Sequence, residues 1–368
     1  MKLGYGLMRL PVLGEKSEID IERVKGLADR FIKAGGTYFD TAYVYHDGKS
    51  EEAFREAVVK RYPRESFTIA DKLPMFLLKT REEAEKVFAE QLDRCGVDYF
   101  DYYLLHSLGE GTYFRAQRMD AFGYIAEKKK EGKIKHIGFS FHDTPELLDR
   151  ILTEHPEVEF VQLQINYLDW EDVNVRSKEC YETAVRHGKP VVIMEPVKGG
   201  SLADIPEPAL NLFKADEPDS SAASWAIRFA AGLPGVMTVL SGMSNEEQLE
   251  DNISVLKDFT TLSEEKKQTV FKAADVIRAA IAIPCTACRY CTGECPQNIA
   301  IPEYFGIYNN LKRFGKAQTV NAVTYYTNTR KTHARASECI KCGKCEAVCP
   351  QHIEIRKYLE KIADIFDK

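Results

Sequence analysis

The cysteines of this chain are concentrated at one end of the sequence, and their spacing constrains the fold more than any other feature. Eight of the ten cysteines in the 368 residues lie at or after Cys285. They form two copies of the pattern C-x2-C-x2-C-x3-C-P, one from Cys285 to Pro296 and one from Cys339 to Pro350. In the cytoplasmic protein that we expect, such clusters indicate metal or redox chemistry rather than disulfides.

The duplicated pattern predicts two [4Fe–4S] clusters, because three closely spaced thiolates can surround one face of a cubane while the fourth cysteine reaches the other cluster. The first cluster is expected to bind Cys285, Cys288, Cys291 and Cys349. The second is expected to bind Cys339, Cys342, Cys345 and Cys295. Paired zinc sites are the alternative, since C-x2-C is also zinc spacing. The third cysteine of each copy, the following proline and the duplication favour iron.

The segment between the two motifs reads as helical, and the cysteine region therefore resembles the α-helical class of ferredoxin domains. Residues 263–282 read as a helix that leads directly into Cys285 without a Gly/Ser linker. We therefore predict one domain over residues 1–262 and a second domain over residues 263–368.

The first domain alternates β-rich segments with amphipathic helical segments, which predicts a parallel sheet. The eight predicted strands are 3–10, 37–42, 67–73, 99–106, 135–142, 159–166, 190–197 and 236–243. This number of strands and the length of the segment favour a closed (β/α)8 barrel. A doubly wound open sheet is the alternative, but no G-x-G-x-x-G follows the first strand.

Active sites of such barrels lie at the carboxyl ends of the strands, and four side chains there can carry chemistry. They are Asp40, Tyr45, Lys72 and His106. Each has a structural explanation when taken alone: a surface tyrosine, an ion pair, a histidine that caps a strand. Their combination is more informative.

Together these residues resemble the catalytic tetrad of the aldo-keto reductase family. The run Phe39-Asp-Thr-Ala-Tyr-Val-Tyr45 and the segment Gly48-Lys-Ser-Glu51 are similar to the family signature, as are IADKLP around Lys72 and LLHS around His106. The resemblance extends over residues 3–252. It implies that Tyr45 is the general acid, Asp40 holds Lys72, and His106 orients the carbonyl oxygen. A nearby ammonium is expected to lower the pKa of the Tyr45 phenol toward neutrality.

The resemblance also implies contacts to a nicotinamide cofactor, NADPH or NADH. Ser140 and Gln162 correspond to residues that bind the carboxamide, and Asn252 corresponds to one at the adenine end. Gly242, Met243 and Gln248 lie along the adenosine, where the family usually has Lys or Arg to bind the 2′-phosphate. The sequence therefore leaves the choice between NADPH and NADH open.

Charge and hydropathy exclude several other classes of protein. The net charge is −6, although residues 281–368 carry 13 Lys and Arg against 8 Asp and Glu. Basic side chains near anionic clusters explain this excess better than nucleic-acid binding does. No apolar run approaches the ~20 residues of a membrane span. We expect a cytoplasmic protein with neither a nucleic-acid nor a membrane partner.

These features predict an oxidoreductase that reduces a small aldehyde or ketone with NAD(P)H and carries an attached iron–sulfur domain. A ferredoxin-like or other one-electron partner is a further expectation. The alternative is an electron-transfer or redox-sensing protein in which the barrel serves only as a scaffold.

Overall fold

A computed structural model describes residues 1–14, 18–172, 175–257, 259–279, 282–283, 285, 289–314, 319–349 and 353–368. The chain divides into two compact units. The first comprises residues Met1–Gly199 and Ala223–Lys267, and the second comprises Gly200–Ala222 and Gln268–Lys368. The domain boundary after residue 262 stays a prediction. Within the described ranges, none of the helices has the length and hydropathy needed to span a membrane.

Eight parallel strands form a closed barrel in the first unit. They are β1 (Leu3–Gly6), β2 (Tyr38–Asp40), β3 (Thr68–Leu73), β4 (Phe100–Leu108), β5 (Ile134–Phe141), β6 (Phe160–Gln164), β7 (Val191–Met194) and β8 (Val236–Ser241). Each strand pairs with the next, and β8 closes the barrel on β1 with Leu3 opposite Val239. The predicted (β/α)8 barrel is confirmed, and the open sheet is excluded. A short ribbon of Val12–Leu13 and Glu18–Ile19 follows β1.

Helices connect the strands and continue into the second unit. In chain order they are α1 (Ile21–Lys33), α2 (Ser50–Phe54), α3 (Arg81–Cys95), α4 (Glu110–Arg118), α5 (Ala121–Lys130), α6 (Pro145–Glu154), α7 (Ser177–Arg186), α8 (Glu207–Asp216), α9 (Ala222–Ala231), α10 (Glu246–Lys257), α11 (Glu264–Ala279), α12 (Tyr290–Glu294), α13 (Ile301–Phe314), α14 (Thr319–Thr329), α15 (Lys344–Ala347) and α16 (Ile355–Phe366). Local signals fix their ends. A capping box of Thr80 and Glu83 starts α3, and Gly96 ends it at φ 67°.

The interior of the barrel is filled by one side chain from each of six strands. This buried layer consists of Tyr38, Ala70, Leu104, Phe160, Val192 and Leu240. Residues from six different strands can meet only inside the barrel, so these positions define its inner face. Because side chains alternate along a strand, the residue two positions later lies on the same face. The inner face therefore continues toward the carboxyl ends of the strands.

The second unit has its own apolar core, which the two cysteine motifs help to build. Each motif leads into a matching stretch: Ile299 and Ile301 after the first, Ile353 and Ile355 after the second, all of them buried. Both stretches make the same turn, with Ile301 N donating to Ile299 O at 2.9 Å and Ile355 N to Ile353 O at 2.8 Å. The duplication seen in the cysteines thus extends to the backbone that positions them.

Candidate active site and cluster sites

The tetrad residues lie on the inner face of the barrel, immediately beyond its apolar layer. Asp40, Lys72, His106 and Gln162 follow the buried layer residues of β2, β3, β4 and β6 by two positions, and Ser140 occupies the equivalent place on β5. Strand alternation alone therefore directs these polar side chains to one end of the barrel interior. The predicted site is the place where the core changes from apolar to polar.

Lys72 and Asp40 form a buried ion pair. Lys72 Nζ lies 2.6 Å from Asp40 Oδ1 and 2.5 Å from the main-chain oxygen of Thr41. The two side chains are 0% and 4% exposed. Burial disfavours the ammonium form, but the charge of Asp40 and its hydrogen bond to the ammonium help to outweigh that effect, and the pKa of Lys72 is raised. The lysine is therefore charged across the range in which proteins work.

Tyr45 lies beside this ammonium, in the turn that follows β2. The distance from Lys72 Nζ to the centroid of the Tyr45 ring is 4.9 Å. Burial raises the pKa of the Tyr45 phenol above its ordinary value, and the attraction of Lys72 offsets only part of that effect. Lys72 acts on the phenol in the expected direction, but desolvation of the tyrosinate is the larger effect, so the net shift is upward rather than toward neutrality.

His106 faces Tyr45 across the site. The two ring centroids are 6.0 Å apart at an interplanar angle of 82°, and the Phe76 ring approaches His106 from another side at 5.5 Å. Burial, with added repulsion from Lys72 and His142, lowers the pKa of His106 to about 3. Nδ1 is buried and finds no hydrogen-bond partner among the described residues. His106 is thus a neutral imidazole that still has hydrogen-bonding capacity.

The predicted nicotinamide contacts line the same inner face. Ser140 Oγ accepts from Ser107 N at 2.7 Å, and Gln162 Nε2 approaches Met194 Sδ at 3.5 Å. Gln162 Oε1 is buried, and no hydrogen-bond partner lies near it within the described ranges. A buried carbonyl oxygen without a partner is costly. Gln162 therefore has a free acceptor that a bound amide group can satisfy.

The residues expected along the adenosine lie in the loop after β8 and in α10, which follows it. Asn252 Nδ2 donates to Ser241 Oγ at 2.9 Å, and Ser244 N donates to Gln248 Oε1 at 2.8 Å. Met243 is fully buried, and its carbonyl accepts from the Tyr5 hydroxyl at 2.8 Å. Gly242 lies beside the Arg9 side chain. The side chains of Asn252 and Gln248 thus shape the loop itself.

A pair of buried acids behind the tetrad was not foreseen from the sequence. Asp71 lies on the outer face of β3, where its Oδ1 accepts from Lys72 N at 2.7 Å. Glu51, at the start of α2, is also fully buried and pairs with Arg94 at 3.2 Å. Burial and the nearby Glu51 raise the pKa of Asp71 well above its usual range. Strand alternation could have predicted the position of Asp71, because the residue next to the inward-facing Lys72 must point to the outer face of β3.

The structure brings together the cysteines expected to hold the second cluster. A small pocket in the second unit is lined by Cys295, Cys339, Cys342 and Cys345. Ile299 N donates to Cys295 Sγ at 3.5 Å, the kind of bond that tunes a cluster thiolate. Four thiols from two distant motifs around one small cavity fit a [4Fe–4S] cubane, including the crossed ligand.

Three of the cysteines expected for the first cluster belong to the same unit. Cys291 is part of its buried core, and Cys285 and Cys349 pack against that core. Cys288, the fourth predicted ligand, lies outside the described residues. The remaining two cysteines, Cys95 and Cys180, are buried in the first unit, away from both motifs in the sequence.

Comparison with known proteins agrees with both parts of the chain. A model of the aldo/keto reductase family matches residues 2–275, and a model of the 4Fe-4S dicluster domain matches residues 284–354. The two matches lie in the same order as the barrel and the cysteine motifs, and together they cover most of the sequence.

Curated relatives carry the same family name or an oxidoreductase description. An aldo-keto reductase of Strobilurus tenacellus is 31% identical over 213 residues, which are 55% of this chain and 59% of that protein. An uncharacterized oxidoreductase of Bacillus subtilis is 25% identical over 309 residues, covering 74% of this chain and 94% of that protein. The chain thus spans less than two thirds of the Strobilurus protein.

Solved structures show the same fold. The holo form of an aldo-keto reductase from Bacillus halodurans aligns with a TM-score of 0.61 and 23% identity, over 74% of this chain and 91% of that chain. An aldo/keto reductase from Klebsiella pneumoniae, in complex with NADP and acetate, aligns with a TM-score of 0.59 and 19% identity. The alignment covers 74% of this chain and 90% of that chain. The family match, the closed barrel and the cysteine motifs agree: the chain belongs to the aldo/keto reductase family of oxidoreductases, and a 4Fe-4S dicluster domain follows the reductase region in its sequence.

Proposed function

We propose that the protein reduces the carbonyl group of a small aldehyde or ketone with NADPH or NADH. The observation that carries this proposal is the charged Lys72, fully buried against Asp40 and directed at the ring of Tyr45. A bound nicotinamide supplies the hydride. The side chains of the tetrad donate the proton and orient the carbonyl oxygen, and their geometry fits these roles.

Tyr45 is the proton donor in this proposal. Because its pKa is raised, the phenol is protonated near neutral pH and available at the start of each turnover. The proton moves when negative charge develops on the carbonyl oxygen. The tyrosinate that remains lies beside the Lys72 ammonium, which stabilises it and which Asp40 keeps in place.

His106 orients the substrate as a neutral group. A pKa of about 3 keeps the imidazole uncharged, so it can donate one N–H to the carbonyl oxygen without competing with Tyr45 as an acid. Phe76 and Tyr45 flank its ring and limit its rotation. This arrangement stabilises the developing oxyanion by a fixed hydrogen bond.

Ser140 and Gln162 are the proposed contacts to the nicotinamide carboxamide. The free Gln162 Oε1 supports this role because an amide N–H bound there would satisfy a buried acceptor. The adenosine end of the site is proposed to consist of Gly242 and Met243 in the loop after β8 and of Gln248 and Asn252 in α10.

We also propose that the eight motif cysteines, Cys288 included, hold two [4Fe–4S] clusters, which supply one-electron chemistry when assembled. At the second site Cys342 is exposed, and Ile340 beside it is 58% exposed. An exposed ligand next to an apolar residue supports electron exchange with a ferredoxin-like or other one-electron partner. The cluster-type spacing of the cysteines also supports a reducing compartment, the cytoplasm.

Replacing Tyr45 with Phe tests the proton donor. Tyr45→Phe keeps the ring but removes the hydroxyl, so kcat for carbonyl reduction should fall by ~10²-fold or more, the scale of general acid catalysis. The nucleotide Kd should change little. Tyr43→Phe is the matched control, because its hydroxyl bonds Glu90 on an exposed surface, and its kcat should remain close to that of the wild type. Turnover within a few-fold of the wild type in Tyr45→Phe would exclude Tyr45 as the acid.

The neutral state of His106 predicts a pH-dependent stability. Its folded pKa is depressed, so the unfolded chain takes up the proton first, and stability present above pH ~6.5 is lost as the pH falls toward 3. When the pH is lowered from 7.5 to 5.5, this histidine should reduce the free energy of unfolding of the wild type by ~1.4 kcal/mol.

The His106→Gln variant should lack that loss. Urea unfolding at the two pH values, followed by the fluorescence of the two tryptophans, reports the barrel, because Trp170 and Trp225 both lie in the first unit. An equal pH dependence of unfolding in the wild type and the variant would contradict a neutral His106.

Iron analysis tests the cluster assignment. Anaerobically purified protein should contain about eight iron atoms per chain, and Cys342→Ser should retain about four, because only the second site loses a ligand. Nicotinamide-dependent carbonyl reduction should survive in this variant, whereas reduction driven by a reduced viologen should fall. The control variant Cys180→Ser changes a buried thiol of the first unit. It should keep about eight iron atoms per chain. Stoichiometric zinc without iron would overturn the assignment.

A further inference from the structure

Arg9 lies across two glycines at the carboxyl ends of the barrel strands. It ends the short turn Leu7–Arg9 that follows β1. A Cβ added at Gly242, directly after β8, would stand 3.0 Å from Arg9 Cβ and 3.2 Å from its Cγ and Cδ. A Cβ added at Gly199, in the loop after β7, would stand 3.0 Å from Arg9 Nη2. The arginine stem thus rests on one loop, and its guanidinium reaches the other.

The main chain around Arg9 is held from both sides. Ser244 Oγ donates to the Arg9 carbonyl at 2.7 Å, and Leu10 N donates to His46 Nε2 at 3.0 Å. These bonds join the turn after β1 to the loop after β8 and to the turn that carries Tyr45. A fixed backbone lowers the entropic cost of ordering the side chain on a ligand.

The guanidinium of Arg9 forms no salt bridge with the residues that the structure describes. Within the described ranges no carboxylate lies within 4.0 Å of Arg9, and the side chain is exposed. Many arginines of the first unit are paired, as Arg61 is with Asp29 at 2.8 Å. An exposed arginine without a salt bridge among the described residues, next to two glycines that leave room for it, is a positive charge available to an anion.

The position indicates which anion it is. In (β/α)8 barrels the loops after the seventh and eighth strands frequently form a phosphate site, and Gly199 and Gly242 belong to these loops. Arginine binds phosphate through two parallel N–H groups, which suits a diphosphate with several oxygens. At the positions expected along the adenosine, the loop after β8 offers Gly242 and Met243 and the start of α10 offers Gln248 instead of basic residues. The turn after β1 thus supplies a charge that these positions lack.

We propose that Arg9 binds the diphosphate bridge of the nicotinamide dinucleotide. This inference rests on the proposed function. Because NADH and NADPH share the diphosphate, Arg9 strengthens the binding of both and does not select between them. The charge of the cofactor is therefore met from the turn after β1, and NADH should bind at least comparably to NADPH.

The test is nucleotide binding to the full-length, anaerobically purified protein. Arg9→Gln should raise the Kd for NADH and for NADPH by similar factors of ~10-fold or more, the scale of a lost charged hydrogen bond. The Kd for ADP, which has the diphosphate, should rise by a similar factor, whereas the Kd for adenosine should stay unchanged. Arg9→Lys keeps the charge without the fork and should be intermediate. Arg61→Gln, which alters an arginine paired with Asp29, is the control and should leave every Kd unchanged.

The outcomes separate this inference from the proposed function. If the wild type binds both nucleotides and Arg9→Gln binds them equally well, Arg9 is not a phosphate ligand, while the carbonyl reductase proposal stands. A loss confined to NADPH would overturn the diphosphate assignment in favour of the 2′-phosphate. If the wild type binds neither nucleotide, both proposals fall. Because Arg9 is exposed, native tryptophan fluorescence of Arg9→Gln should confirm that the variant folds.

Discussion

The buried ammonium of Lys72 is the interaction on which the mouth of this barrel depends. A charged amine without exposed surface is stable only when a carboxylate and further acceptors surround it. Asp40 and the carbonyl of Thr41 do so at 2.6 and 2.5 Å. Since these groups come from neighbouring strands and the loop after β2, the ion pair also fixes their relative positions. The cost of burying the charge is offset only if that geometry is kept.

The Lys72 charge modifies the effect of burial on the two neighbouring titratable groups in opposite ways. For Tyr45 it offsets only part of the effect of burial, so the phenol keeps its proton near neutral pH, and the anion that forms during turnover is stabilised. For His106 it adds to the effect of burial, so the imidazole is neutral. The donor and the orienting group are therefore distinguished by their protonation states before any ligand binds. Behind them, Glu51 and Asp71 add a second buried polar layer outside the barrel wall.

Much of this arrangement could be predicted from the sequence because it depends on local patterns. Strand alternation places Asp40, Lys72 and His106 on one face. The cysteine spacing predicts that Cys295 of the first motif joins three cysteines of the second motif, and these four line the pocket in the second unit. The ends of the strands were predicted less accurately. The first strand ends at Gly6 rather than residue 10, because Leu7–Arg9 turns into the loop that carries Arg9.

Other features depend on packing between distant segments. The raised pKa of Tyr45 follows from how completely it is buried, which no residue type reveals. The contact of Glu51 with Asp71 needs α2 to lie against the outer face of β3. Arg9 meets Gly199 and Gly242 only because β8 closes the barrel on β1. In each case the residues look ordinary in sequence, and the closed barrel gives them their environment.

The central claim is that the barrel transfers hydride directly, with the tetrad as its acid, rather than passing single electrons through the clusters. Isotope transfer tests this most directly. The enzyme is supplied with a nicotinamide dinucleotide that is dideuterated at C4, in ordinary water, and with an aldehyde or ketone from a panel of small carbonyl compounds. The account predicts one deuterium on the former carbonyl carbon of every product molecule. Product that carries only solvent hydrogen at that carbon would contradict it.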